Sequence, residues 1–311
     1  VLLGEVRTGL VLNSGLLTPE QTEALLDIVP GERVRSHQRP VPRAVSADVL
    51  HGVDCRLLSG SGARTRVVGT LRGRACVVGG RVLQGSVHAA LAAGGDRRQP
   101  WSHYMRRPGV VEVTGKGRPA DLTARYLTEE GADDGVLDPG AVAEALISRV
   151  RASSVLDHEA AFRARPTRLR WIAEITEGPL RGGFTLVDAE RRALHMRIPR
   201  RIGADAEQLV SLCEDLALHD WLLGTLATVA DRACTGSGDA AALRRLRPAV
   251  DHLVHLWMPG AAVAPSLMQV WHNLETVPGL TRQWEACVSR IRDHMALRTL
   301  EMLAAVRPST D

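Results

Sequence analysis

Aromatic side chains make up only 3% of this 311-residue chain. Any core it forms must therefore be filled mainly by Leu, Val and Ala. Lysine is almost missing: Lys116 is the one lysine among 39 basic residues. The others are arginine, and together with abundant Ala, Gly and Val they carry the mark of a GC-rich genome rather than of a functional demand. The net charge of +4 taken alone suggests nucleic acid, but acids interleave with the arginines and the basic clusters are short. Long hydrophobic runs are also missing. None approaches the roughly 18 apolar residues of a membrane span, so no membrane partner is expected. Val1 to Arg7 lacks the basic segment and apolar stretch of a signal peptide. No two of the five cysteines have C-x-x-C spacing, which argues against a zinc ribbon or disulfide framework and leaves reduced thiols in the cytoplasm as the expectation.

Complete catalytic signatures are missing too. Gly115-Lys116-Gly117 follows a predicted strand and is a weak anion-binding candidate through Lys116. It is not a Walker A loop, because Val110 stands where the first glycine belongs and Gly117 where Ser or Thr must follow the lysine. There is no Gly-x-Ser-x-Gly elbow, no G-x-G-x-x-G after a strand and no H-E-x-x-H. No catalytic residue and no cofactor is therefore assigned.

What is present reads as an α+β chain. Residues 1–137 look like a strand-rich α/β unit. Thr18-Pro19-Glu20-Gln21 opens a helix with a capping box and proline at its first position. Residues 32–64 show weak periodicity and read as mostly irregular. Short apolar runs follow from Arg66, and Gly79-Gly80 between two of them signals a hairpin, because tight turns need positive φ. Val110 to Thr114 reads as a strand, Pro119 to Leu127 as a short helix and Glu129 to Gly135 as a linker. Residues 138–203 read as a helix capped by Asp138 and opened by Pro139, then an antiparallel β-meander. Its strands alternate through Leu169, Trp171 and Ala173, through Phe184 and Leu186, and through Leu194, Met196 and Ile198. Residues 204–311 read as a helical bundle region.

That last region is the richest in chemistry-bearing side chains. Four of the six tryptophans and five of the eleven histidines fall within it, so packing and chemistry overlap. Asp220 shares a helix face with Leu209, Cys213, Leu216 and Leu223. A carboxylate on an apolar stripe is costly unless paired, which makes it a candidate buried acid with a raised pKa, the alternatives being an ion pair to an arginine of a neighbouring helix or a carboxylate at a wet groove. His252 and His255, three apart, share a face with Asp251 nearby. Asp-His-x-x-His resembles half of a bundle metal site, and Glu214, Asp215 and His219 are the set available for the matching half of such a polar cluster. Whether a metal binds there is left open, the bland alternative being a solvated or docked polar face. Trp257 and Trp284 fall in apolar stripes as packing anchors. Trp101, His103 and Tyr104, close to Arg106-Arg107, form a candidate binding patch, and Trp221, off the main stripe of its helix, a further candidate partner surface.

Several stretches together resemble a family of streptomycetes and related actinomycetes to which no activity is assigned. They are Gly4-Glu5-Val6-Arg7-Thr8, Trp101-Ser102-His103-Tyr104 with Pro108 to Val113, Cys213 to Leu223, and His255 to Gly260. The resemblance implies one component of a multi-protein system, associated with a variant P-loop protein and a methyltransferase-like protein. It transfers no catalytic residue. The leading expectation is a cytoplasmic, non-catalytic interaction or scaffold component with a protein partner. The alternatives are an enzyme or metal-binding protein using the acid/histidine cluster, and arginine-mediated nucleic-acid binding.

Overall fold

The computed structural model describes residues 1–58, 64–115, 126–127, 135–234, 247 and 250–306. Lys116, most of the expected helix over 119–127, most of the expected linker over 129–135 and the first half of the helix expected near 239–258 lie outside them.

The chain is α+β, with a mixed sheet of ten strands and a helical C-terminal region. In chain order the elements are β1 (Leu2–Leu10), α1 (Pro19–Leu26), β2 (Arg35–His37), β3 (Arg43–Val45), β4 (Val49–Leu58), β5 (Arg64–Val78), β6 (Val82–Ala93), α2 (Trp101–Met105), β7 (Val110–Val113), α3 (Pro139–Arg151), β8 (Thr167–Thr176), β9 (Arg181–Leu186), β10 (Arg191–Pro199), α4 (Ala206–Cys234), α5 (Met268–Thr276) and α6 (Leu280–Val306). The local signals act as chemistry requires. Thr18 and Gln21 close a reciprocal capping box on α1, and Asp138 caps α3 ahead of Pro139.

The sheet runs β2-β3-β5-β7-β6-β1-β8-β10-β9, with β4 on β5 and a direct β5–β6 pairing. Strand β1 lies between β6 and β8, so strands from residues 1–137 and 138–203 share one sheet across the boundary expected at 137. The region expected to be irregular holds β2, β3 and the ten-residue β4. In β4 the inward positions Val53, Cys55 and Leu57 alternate with exposed Gly52, Asp54 and Arg56, while Leu50 and His51 are both exposed, a pattern diluted by Gly and charge.

The short runs after Arg64 are one strand, β5. Its first half pairs with β4 and β7 and its second half with β3 and β6. Gly69 permits the β7 contact, since a Cβ there would stand 2.1 Å from the Val110 carbonyl oxygen. Gly79 and Gly80, at φ 58° and 60°, close the β5–β6 hairpin, in which Val78 pairs with Val82.

The three strands after α3 are not in meander order. β10 inserts between β8 and β9, parallel to the first and antiparallel to the second. Burial explains the choice. Leu194, Met196 and Ile198 of β10 are fully buried and need neighbours on both sides, whereas β9, with Gly182-Gly183 and mostly exposed side chains, suits an edge.

Alternation along β1 divides the core. Val6 and Leu10 join Trp171, Leu194 and Met196 under α4, α5 and α6. Leu3 and Val11 join Val87, Leu83 and Ile172 under α1 and α3. Each fully buried apolar side chain of this kind contributes roughly 1.5–3 kcal/mol. No helix among the described residues is long and apolar enough to cross a membrane.

Candidate functional site

Helix α4 lies against the sheet, and from Leu209 to Leu223 almost every side chain is buried, including Glu214, Asp215, His219 and Asp220. Four polar groups so close together on one helix could form a single reactive centre. They point instead into three separate environments.

Glu214 turns toward β3 and β5. Arg74 grips it with two hydrogen bonds, Nε to Oε1 at 2.7 Å and Nη2 to Oε2 at 2.8 Å. Arg43 Nη2 donates to the same Oε2, and Arg74 also reaches Glu207, two turns earlier. Gln84 joins the helix to the sheet, donating to the Glu214 carbonyl oxygen at 2.9 Å and to Thr8 Oγ1 at 3.1 Å. Burial alone would push the Glu214 carboxyl up, but Arg74 and Arg43 outweigh it and hold the pKa down to about 2. A carboxylate so held is a structural anion, not a proton donor.

Asp215 and His219 turn toward the segment after the 3-10 turn Val254–Leu256. The Gly260 amide donates to Asp215 Oδ2 at 2.8 Å, and the Met258 amide to His219 Nε2 at 3.2 Å. An amide N–H must donate, so Nε2 accepts, and the imidazole proton sits on Nδ1, 2.7 Å from the Asp215 carbonyl oxygen. The ring lies edge-on to Trp257 and Trp271, at 5.0 and 5.9 Å, and Trp257 stacks on Trp284 at 4.1 Å. Burial raises the Asp215 pKa against the pull of His219. The pair latches the 257–262 loop onto α4.

Asp220 turns toward β10, where Arg192 Nε donates to its Oδ2 at 2.7 Å. Burial raises the Asp220 pKa in spite of Arg192. The partner of this acid comes from the sheet, not from a neighbouring helix.

His252 and His255 lie apart from this set. The His252 ring is parallel to Phe162 at 6.4 Å, and burial, then Arg81, lowers its pKa. His255 lines a hollow of about 230 Å³ with Leu17, Pro19 and Gly79. No group of three or more His, Cys, Asp or Glu among the described residues could hold a metal ion.

The expected binding patch divides as well. Trp101 is 40% exposed and rests on Gly52, with the Arg98 guanidinium 5.3 Å from the centre of its ring. Tyr104 is buried and its hydroxyl accepts from the Gln99 amide. His103 Nε2 lies 2.8 Å from Glu112 Oε1, an oxygen it shares with Arg107. Trp221 is buried, not a partner surface, because its indole N–H donates to the Arg165 carbonyl at 2.8 Å and anchors the approach to β8.

Glu5 forms a further buried ion cluster, outside the candidate sites named from the sequence. It is fully buried on the α3 face of β1, between Arg7 at 3.1 Å and Arg170 at 2.9 Å. The available signal is that Glu5 and Arg7 continue the alternation begun by Leu3 in the strand Leu2–Leu10. Comparison with protein-family models, with curated proteins and with solved structures finds no match to this chain.

Proposed function

We propose that the chain is a non-catalytic interaction component of a multi-protein system in the cytoplasm. The observation that carries this reading is the commitment of His219: both its ring nitrogens are engaged by backbone groups, so the most chemically capable side chain of α4 is used to hold a loop. Glu214, Asp215 and Asp220 are committed in the same way to Arg74, Gly260 and Arg192. The acid/histidine set supports the fold on which binding surfaces are carried. Leu297 and Leu300 on α6 are exposed large apolar residues, a form of surface that suits a protein partner. Arginine-mediated nucleic-acid binding is less favoured, because Arg66 and Arg98 are paired with Asp54 and Arg107 with Glu112.

The test is co-purification of the tagged full chain with the products of neighbouring genes, repeated with Leu297→Asp/Leu300→Asp. A stoichiometric partner lost in the double variant, at unchanged melting temperature, supports the reading. A protein that runs alone as a monomer in both forms contradicts it.

A further inference from the structure

On the α3 face of the sheet, three arginines stand side by side on three adjacent strands. Arg7 of β1 is in register with Arg168 of β8, and Arg168 with Arg191 of β10. Paired strands are about 4.8 Å apart, so three like charges share a span of about 10 Å. Like charges directly opposite one another destabilise a sheet. A fourth, Arg151, comes from the last turn of α3, and all four line one cavity of about 260 Å³.

The local acids satisfy half of this set. Glu144 Oε2 accepts from Arg7 at 2.7 Å, and Asp188 pairs with Arg191. Glu190, the third acid at the cavity, is solvent-exposed at its rim. The Nε of Arg151 is buried without a hydrogen-bond partner, and no carboxylate lies within ion-pair reach of Arg151 or Arg168 among the described residues. An unsatisfied buried donor costs stability, and two guanidiniums without a carboxylate leave the cavity lining short of negative charge. Guanidinium forks that converge on a polar hollow match the geometry of phosphate oxygens.

We infer that this cavity binds a small phosphate-bearing anion, held between Arg151 and Arg168 and flanked by Arg7 and Arg191. The anion supplies the negative charge that the row of arginines lacks. The site lies on the face of the sheet opposite α4 and is independent of the partner-binding reading, which fails or stands on a different experiment. Free phosphate species and the phosphate of a larger ester present the same chemistry, and the probes separate them.

The test is calorimetric titration of the full chain with inorganic phosphate, pyrophosphate and a nucleoside diphosphate, each at low and at raised salt. Binding at one site per chain is expected for pyrophosphate, for the nucleotide, or for both. Equal affinity for both identifies the diphosphate as the whole ligand, and preference for the nucleotide identifies an ester. Arg168→Gln and Arg151→Gln are each expected to weaken binding by about tenfold or more, while Arg247→Gln, at an exposed arginine outside the cavity lining, leaves it unchanged. Because Arg168 sits among like charges, Arg168→Gln is also expected to leave the melting temperature of the ligand-free protein unchanged or raised, where a structural ion-pair role would lower it. Should that variant fail to fold, Arg168→Lys keeps the charge and removes the fork, and is expected to weaken binding alike. The inference is overturned if none of the three probes binds, or if binding survives both cavity substitutions, or if Arg247→Gln weakens it equally.

Discussion

Arg192 Nε donates to Asp220 Oδ2 at 2.7 Å across the interface of β10 and α4, with both side chains nine-tenths buried. The Asp220 pKa is nonetheless raised, since burial outweighs the arginine. An acid raised on folding loses stability as pH climbs through its folded pKa, so this ion pair does not fully offset its own desolvation. Removing one partner is expected to cost about 3–5 kcal/mol, because the other is left buried and charged. Replacing both, as Asp220→Leu with Arg192→Met, is expected to restore most of that loss. Urea unfolding of the two single variants and the double variant reads the coupling. Additive effects would show that the pair does not act as a unit.

The acid side of the stability profile is expected to have two steps from two buried groups. Burial, with Arg74, holds the His88 pKa down to about 4. An unfolded histidine takes its proton near 6.5, so stability falls as pH drops from about 6.5 to about 4. Glu214 has the opposite environment. Its depressed pKa of about 2 contributes stability that is complete above the unfolded value near 4.3 and is lost as pH falls toward about 2. His88→Gln is expected to flatten the upper step and Glu214→Gln to remove the lower, at a cost of about 3–5 kcal/mol at neutral pH from the guanidiniums left unpaired. Unfolding free energies at stepped pH distinguish the two. Slopes unchanged in the variants would show that other groups govern the acid limb.

Glu5 and Gly140 meet at the start of α3. A Cβ on Gly140 would stand 2.3 Å from Glu5 Oε1, and Glu5 cannot swing away because Arg7 and Arg170 hold it. Gly140→Ala should gain roughly 0.5–1 kcal/mol of helix propensity, yet it is expected to destabilise by about 1–3 kcal/mol from the forced displacement. Gly183→Ala on the edge strand β9, with nothing within 4 Å, is the control and is expected to be nearly neutral. A stabilised Gly140→Ala protein would show that the Glu5 cluster yields.

The parts of this fold that were legible in the sequence are those fixed by neighbours along the chain. Thr18 to Gln21 and Asp138-Pro139 mark helix starts within one turn, and Gly79-Gly80 marks its hairpin. The parts that were not legible depend on residues far apart. The partners of Glu214 are 171 and 140 residues away, and nothing local says that Arg43 and Arg74 will lie beneath α4. The insertion of β10 between β8 and β9 is settled by competition for burial, which adjacent strand signals do not encode. Asp220 is buried together with Leu209, Cys213, Leu216 and Leu223, the residues that helical spacing puts on its face. His219, one residue earlier, turns away from β10 toward the 257–262 loop, a direction set by the Met258 amide 39 residues on in the chain.

The state of the His219 ring tests most directly whether the acid/histidine set of α4 is architecture. Long-range proton–nitrogen NMR on the histidine-labelled full chain reads which ring nitrogen carries the proton. The expected result is a neutral ring protonated on Nδ1, with Nε2 as the acceptor for the Met258 amide. A ring protonated on Nε2, or an imidazolium at neutral pH, would break the latch described here and return His219 to the list of reactive groups.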